Sequence, residues 1–140
     1  MELYDGDRLL KTYRAAMGSR TAGDKEREGD RTTPLGSFYI CTRNDKSRFH
    51  LFMGLSYPAP DDARRGLDRG RITRPEHDAI LSAHRERRCP PWKTALGGEV
   101  GVHGGGADLD WTLGCIALSN ADVEELWKVL RLGDPVTILP

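Results

Sequence analysis

Apolar and polar positions divide this chain into short elements separated by glycine- and proline-rich breaks. Residues 2–17 read as two short strands around "YDGD", where Asp5-Gly6 is a strong hairpin signal. The stretch "GSRTAGDKEREGDRTTPLG" is rich in Gly, Asp and Thr and reads as loop. Two strands are expected next, "SFYICTR" over Ser37 to Arg43 and "FHLFMGLSY" over Phe49 to Tyr57. From Pro58 the period changes. "PAPDDARRGLDRG" suggests a short helix closed by glycine. "TRPEHDAILSAHRERR" carries a fuller helix signature: Thr73 and Glu76 form a capping box, Pro75 sits in the first turn, and Ile80, Leu81 and Ala83 give an apolar stripe. "GGEVGVHG" is a short strand running up to His103. Ser119 then caps a last helix in which Val123, Leu126, Trp127 and Leu130 recur at helical spacing. Gly133 stops that helix, and "PVTIL" closes the chain as a strand. The pattern is mainly β, with two or three peripheral helices and no internal repeat.

At 140 residues the chain fits one domain, 1–140, long enough to bury a core. It holds no run of about 18 apolar residues and therefore no transmembrane segment. The N-terminal stretch lacks the apolar region of a secretory signal. The formal net charge is zero, which argues against nucleic acid as a main partner. Eight arginines from Arg64 to Arg88 lie among six acids, so this region reads as a solvated mixed-charge face rather than an anion-binding stripe. Cys41, Cys89 and Cys115 make an odd set with no CxxC pair. In an oxidising compartment Cys41 and Cys89 would pair and leave Cys115 free; in a reducing one they would be small buried residues.

Chemistry concentrates in "VHGGGADLDWTLGCIALSN". A zinc site needs paired ligands at short spacing, and His103 and Cys115 have none, so a metal reading is set aside. Taken alone, such a pair is most often a core cysteine and a hydrogen-bonded histidine. The glycines change that balance. Gly104, Gly105, Gly106 and Gly114 are unfavourable unless the backbone must bend or admit a close approach. A nucleophilic thiol benefits from both. Histidine within reach accepts its proton, and backbone N–H groups around Gly114 and Cys115 are candidates to hold the oxyanion. A backbone carbonyl beside the histidine suffices to orient the ring. Trp111 serves either as a groove wall or as a packing anchor. Tyr57 either lines the site or is structural. Asp108 and Asp110 either bind an amine or are solvated loop residues. His50, His77 and His84 receive no role.

The run "HGGGADLDWTLGCIALSN" resembles the signature of the L,D-transpeptidase catalytic domain, also called the YkuD domain. That signature is His-Gly, then a Ser/Thr, one residue, Gly-Cys and a hydrophobic residue. "GDRTTPLGSFYI", "SRFHLFMGLSYP" and "GDPVTILP" also look like segments of that family, so the resemblance covers nearly the whole chain. It implies a β-sandwich and a groove-side active site: Cys115 as nucleophile, His103 as its base and acid, and the Gly104 carbonyl as the third member. Thr112 takes the Ser/Thr position, and Gly114 with Cys115 would supply oxyanion N–H groups. The implied activity is that of a cysteine acyltransferase forming a thioester with peptidoglycan stem peptides, with no metal or organic cofactor. The alternatives are a hydrolase, acting as a carboxypeptidase or releasing a wall-attached protein, and a non-catalytic wall-binding module. The position before Gly114 is commonly histidine in the family and is Leu113 here. The position two after the cysteine is commonly a substrate-holding arginine and is Ala117 here. Arg31 and Lys93 are the two candidates to take over the substrate carboxylate. Part of the family's first strand, and any export leader, is expected to lie outside this chain. The resemblance implies a periplasmic or cell-wall location, with the cytoplasm left open by the missing signal.

Overall fold

A computed structural model describes residues 1–140. The first expected hairpin forms as β1 (Glu2–Asp5) and β2 (Arg8–Thr12), which pair antiparallel as a sheet of their own. Five further strands make the main sheet: β3 (Gly36–Ser47), β4 (His50–Leu55), β5 (Gly101–His103), β6 (Ile116–Ala117) and β7 (Pro135–Ile138). Their spatial order is β6-β5-β4-β3-β7, antiparallel throughout except for the parallel β5–β6 pair. β3 is longer than its apolar segment. It continues through the polar Asn44–Ser47, paired with β4 as far as Ser47 opposite His50. β6 is only two residues long and directly follows Cys115, too short for any period to reveal it.

Three helices complete the fold: α1 (Pro60–Asp68), α2 (Arg74–Arg85) and α3 (Asn120–Val129). Both arms of the Thr73/Glu76 capping box form, and the Ser119 hydroxyl accepts the Asp122 N–H at 3.1 Å. The principal core gathers Phe38, Ile40, Met53, Leu55, Val102 and Leu118 from the main sheet with Val123 and Leu126 of α3. Met1 and Leu3 at the hairpin end pack on the same cluster, and the fold is mainly β with three helices, as expected. A smaller core of Ala63, Ile72, Ile80 and Leu96 joins α1 and α2 to the segment leading into β5. That segment is also tied covalently, by a disulfide between Cys41 of β3 and Cys89. Of the two cysteine readings, the paired one is realised, and Cys115 is the free thiol.

Candidate active site

The parallel β5–β6 pair brings the two ends of the glycine-rich run together. Val102 lies opposite Ile116 and His103 opposite Ala117. Continuing that register one residue back sets Cys115 beside Gly101, on the sheet face that carries His103. Two residues of strand, about 7 Å, separate their positions along the sheet.

His103 is buried, and its Nδ1 lies 2.6 Å from the Gly104 carbonyl oxygen. A carbonyl only accepts, so Nδ1 carries the proton and Nε2 keeps its lone pair. The ring is held by aromatic neighbours: Phe49 stacks on it at 4.6 Å between centroids, and Trp111 meets it edge-on at 5.8 Å. Burial pushes the imidazole pKa down, against the opposing pull of the Gly104 carbonyl, so the neutral ring prevails at neutral pH. The backbone of Gly104 is equally enclosed. Its N–H donates to the Phe49 carbonyl at 3.0 Å, and a Cβ there would strike Asn120 Oδ1. Asn120 Oδ1 also accepts the Gly105 N–H at 3.0 Å.

The Cys115 thiol is turned toward β5. Sγ donates to the Glu99 carbonyl at 3.4 Å, and the Gly101 N–H reaches the sulfur. Burial raises the thiol pKa, while the Gly101 N–H and the Lys25 ammonium pull it back. Ring and thiol make no hydrogen bond to each other: His103 Nδ1 is taken by the Gly104 carbonyl and Sγ by that of Glu99. Glu99 is itself unusual, a non-glycine residue at φ 54°. Its neighbours line an open cleft of about 710 Å³ walled by Glu28, Pro91, Trp92, Lys93 and Thr94.

The turn before Cys115 is built by Thr112 and Gly114. Thr112 is buried; its hydroxyl donates to the Cys115 carbonyl at 2.7 Å and accepts the Gly114 N–H at 3.1 Å. The Gly114 N–H, expected as one of the oxyanion donors, is engaged here by the Thr112 hydroxyl inside the turn. What Gly114 contributes is shape. At φ 139°, with any Cβ only 2.9 Å from the Thr32 carbonyl, no other residue fits without strain.

The remaining expectations divide. Trp111 donates Nε1–H to the Gly106 carbonyl at 3.1 Å and packs on Phe49 and His103, so its two readings coincide: an anchor that also walls the imidazole. Tyr57 does not line the site. It is fully buried in the core and its hydroxyl donates to the Leu96 carbonyl at 2.7 Å. Arg31 adopts a left-handed φ of 60° in the segment against the Gly114 turn, with its side chain in solvent and outside the cleft that Lys93 lines. Ala117 is buried and bonded through both backbone groups to Ala16. Asp110 accepts the Met17 N–H at 2.7 Å, a structural use, and Asp108 pairs with Arg14 at 3.7 Å on the surface. Sequence reasoning missed Phe49, Asn120, Glu99 and Lys25. The first two carry a faint signal, an aromatic opening a strand and an amide next to a helix cap. Lys25 carries none, being one charge among many in a polar stretch.

Solved structures similar to this one show the same fold. An L,D-transpeptidase from Xylanimonas cellulosilytica superimposes with a TM-score of 0.58 at 18% identity, covering 99% of this chain and 54% of that one. The helical cell shape determining protein Pgp2 of Campylobacter jejuni, as its K307A mutant, gives 0.62 at 23%, covering 96% and 40%. Bd1075 of Bdellovibrio bacteriovorus gives 0.57 at 20%, covering 94% and 39%. The chain thus spans about half, or less, of the length of these neighbours. No curated protein matches the sequence. The family model of the L,D-transpeptidase catalytic domain matches residues 1–138, from the first hairpin to the last strand and through every residue of the thiol site, and the chain belongs to that family.

Proposed function

We propose that the chain is a cysteine acyltransferase of the L,D-transpeptidase type, acting on peptidoglycan stem peptides through a Cys115 thioester. The observation that carries this reading is the His103 Nδ1–Gly104 carbonyl bond, which leaves Nε2 as a base on the face of the sheet that bears the free thiol. In the first step Sγ bonds to the carbonyl carbon of the diamino-acid residue that precedes a terminal D-amino acid. His103 Nε2 takes the thiol proton, the C–N bond breaks, and the proton leaves on the departing amine. In the second step an acceptor amine attacks the thioester, and its proton returns through His103 to the thiolate. The Cys115 N–H serves as oxyanion donor, aimed by the turn that Thr112 and Gly114 shape. Lys93, which lines the cleft whose edge residue Glu99 holds the thiol, takes the substrate carboxylate in preference to Arg31.

Mass spectrometry of products from a purified disaccharide-tetrapeptide, with Cys115→Ala as control, tests the reading. Cross-linked dimer, or exchange with an added D-amino acid, is the expected outcome and disappears in the variant. Tripeptide alone replaces transfer by hydrolysis, with water as the acceptor. Absence of any Cys115-dependent product overturns the tetrapeptide substrate, and release of a wall-attached protein is then assayed on intact sacculi.

A further inference from the structure

The polar stretch between β2 and β3 hides a buried ion pair directly behind the nucleophile turn. The Lys25 side chain is 3% exposed and that of Asp30 9%. Lys25 Nζ donates to Asp30 Oδ1 at 2.8 Å and to the Arg27 carbonyl at 3.1 Å, and it lies 5.9 Å from the centre of the Tyr57 ring. Two of its three N–H groups therefore have acceptors and one has none. Asp30 is saturated from the other side by the N–H groups of Glu26, Arg27 and Thr32, at 2.8, 3.0 and 3.1 Å. Burying a lysine is unfavourable even when it is paired, and an apolar residue of similar size would serve packing as well. The position of the ammonium supplies the reason for keeping it. Nζ is 3.8 Å from where a Gly114 Cβ would stand, and the Thr32 carbonyl, at 2.9 Å, contacts the same point.

We propose that Lys25 is a positioning residue of the thiol centre, its ammonium locked by Asp30 beneath the Gly114 turn so that a fixed positive charge faces the anions formed at Cys115. The groups that face the sulfur are Lys25 behind the turn, Glu99 and the Gly101 N–H on the strand side, and neutral His103 on the same sheet face. Glu99 and the surrounding burial disfavour a thiolate, and Lys25 is the one cation that opposes them. Because the ammonium is held before reaction begins, no reorganisation is needed as charge develops. The inference deepens the acyltransferase reading and rests on it for the oxyanion, but its effect on the thiolate is measurable without substrate.

The test is the rate of Cys115 alkylation by iodoacetamide as a function of pH, read by mass spectrometry, since Cys115 is the free thiol. Lys25→Met removes the charge and keeps most of the stem. Lys25→Met/Asp30→Asn also removes the carboxylate that would otherwise be stranded. In folded variants the midpoint of the profile is expected to rise by about one unit, with an accompanying fall of about tenfold in rate near neutral pH, while Lys25→Arg retains most of the wild-type rate. An unchanged midpoint in either folded charge-removing variant overturns the proposal. A measurement on the unsubstituted protein covers the case in which neither folds. The Nζ resonance of ¹⁵N-labelled Lys25 is expected to move through the titration of the thiol and to lose that step in Cys115→Ser; a resonance indifferent to Cys115 overturns the proposal equally. Failure of the tetrapeptide assay leaves both readouts intact, so the two inferences fail separately.

Discussion

Gly114 is constrained twice, by a φ of 139° and by the Thr32 carbonyl where a side chain would begin. Gly114→Ala is expected to destabilise the fold by about 1–3 kcal/mol through backbone strain. It should also lower Cys115 reactivity by displacing the turn that presents it. Thermal unfolding and iodoacetamide alkylation measure the two effects; an alanine variant with wild-type stability and reactivity would show that the turn tolerates a Cβ. Reading the residues gave the glycine its importance but not its hydrogen bond. The sequence showed that something required a glycine before the cysteine. It could not show that the N–H was already spent on Thr112, because that bond depends on one hydroxyl rotamer two residues away. Burial acts on Cys115 and His103 in a consistent direction, lifting the thiol and lowering the imidazole. Both shifts favour the uncharged forms, thiol and neutral ring, and under the proposed acyl transfer the proton would move as the sulfur attacks.

At the scale of elements, sequence signals worked where they were local. The Asp5-Gly6 turn, the Thr73/Glu76 box and the Ser119 cap each satisfy hydrogen bonds within a few residues, and each formed as expected. Pairings that depend on distant partners were less visible. The polar end of β3 is held by β4, and two-residue β6 exists only because β5 lies beside it. The cysteine pairing belongs to this class, since compartment and geometry decide it rather than spacing. The bridge joins β3 to the segment that carries Trp92, Lys93 and Glu99, across a sequence separation of 48 residues. That segment has little regular structure of its own: Trp92 lies on Gly98, and the Trp92 Nε1–H is buried without a partner. Cys41→Ser/Cys89→Ser is expected to cost about 2–4 kcal/mol, chiefly by freeing the unfolded chain. Urea unfolding of the variant against the oxidised parent measures it. Equal midpoints would place the hold on the cleft wall in packing alone.

Over the whole molecule, zero net charge conceals an uneven distribution. The arginine-rich region read as a solvated face is partly that, yet three of its members reach across to the loop before β3. Arg65 meets Asp24 at 2.8 Å, and Arg69 and Arg71 meet Glu26 at 2.6 and 3.3 Å. These pairs connect α1 and the residues just after it to the loop that carries Lys25 and Asp30. Two buried carboxylates in this region respond oppositely to pH. Burial works to raise the Asp30 pKa, but Lys25 and three backbone N–H groups prevail and hold it below 3.8; its stabilisation is present above the ordinary carboxylate range and is lost as pH falls through its folded value. Asp62 goes the other way, lifted from 3.8 to about 6 by burial despite the Ala59 N–H and Arg65. The folded state therefore holds the Asp62 proton more tightly than the unfolded chain. The stability this provides is complete below about pH 4 and is lost as pH rises through about 6. Asp62→Asn keeps an acceptor for the Ala59 N–H, and Arg65 keeps Asp24, so the variant should fold. Relative to the parent it is expected to gain about 2–3 kcal/mol between pH 4 and pH 8, a shift of roughly two units at about 1.4 kcal/mol each. Urea midpoints of both proteins at the two pH values give that double difference directly. Parallel pH profiles would mean that Asp62 is ionised as readily in the fold as in the open chain, and that Arg65 fully offsets its burial.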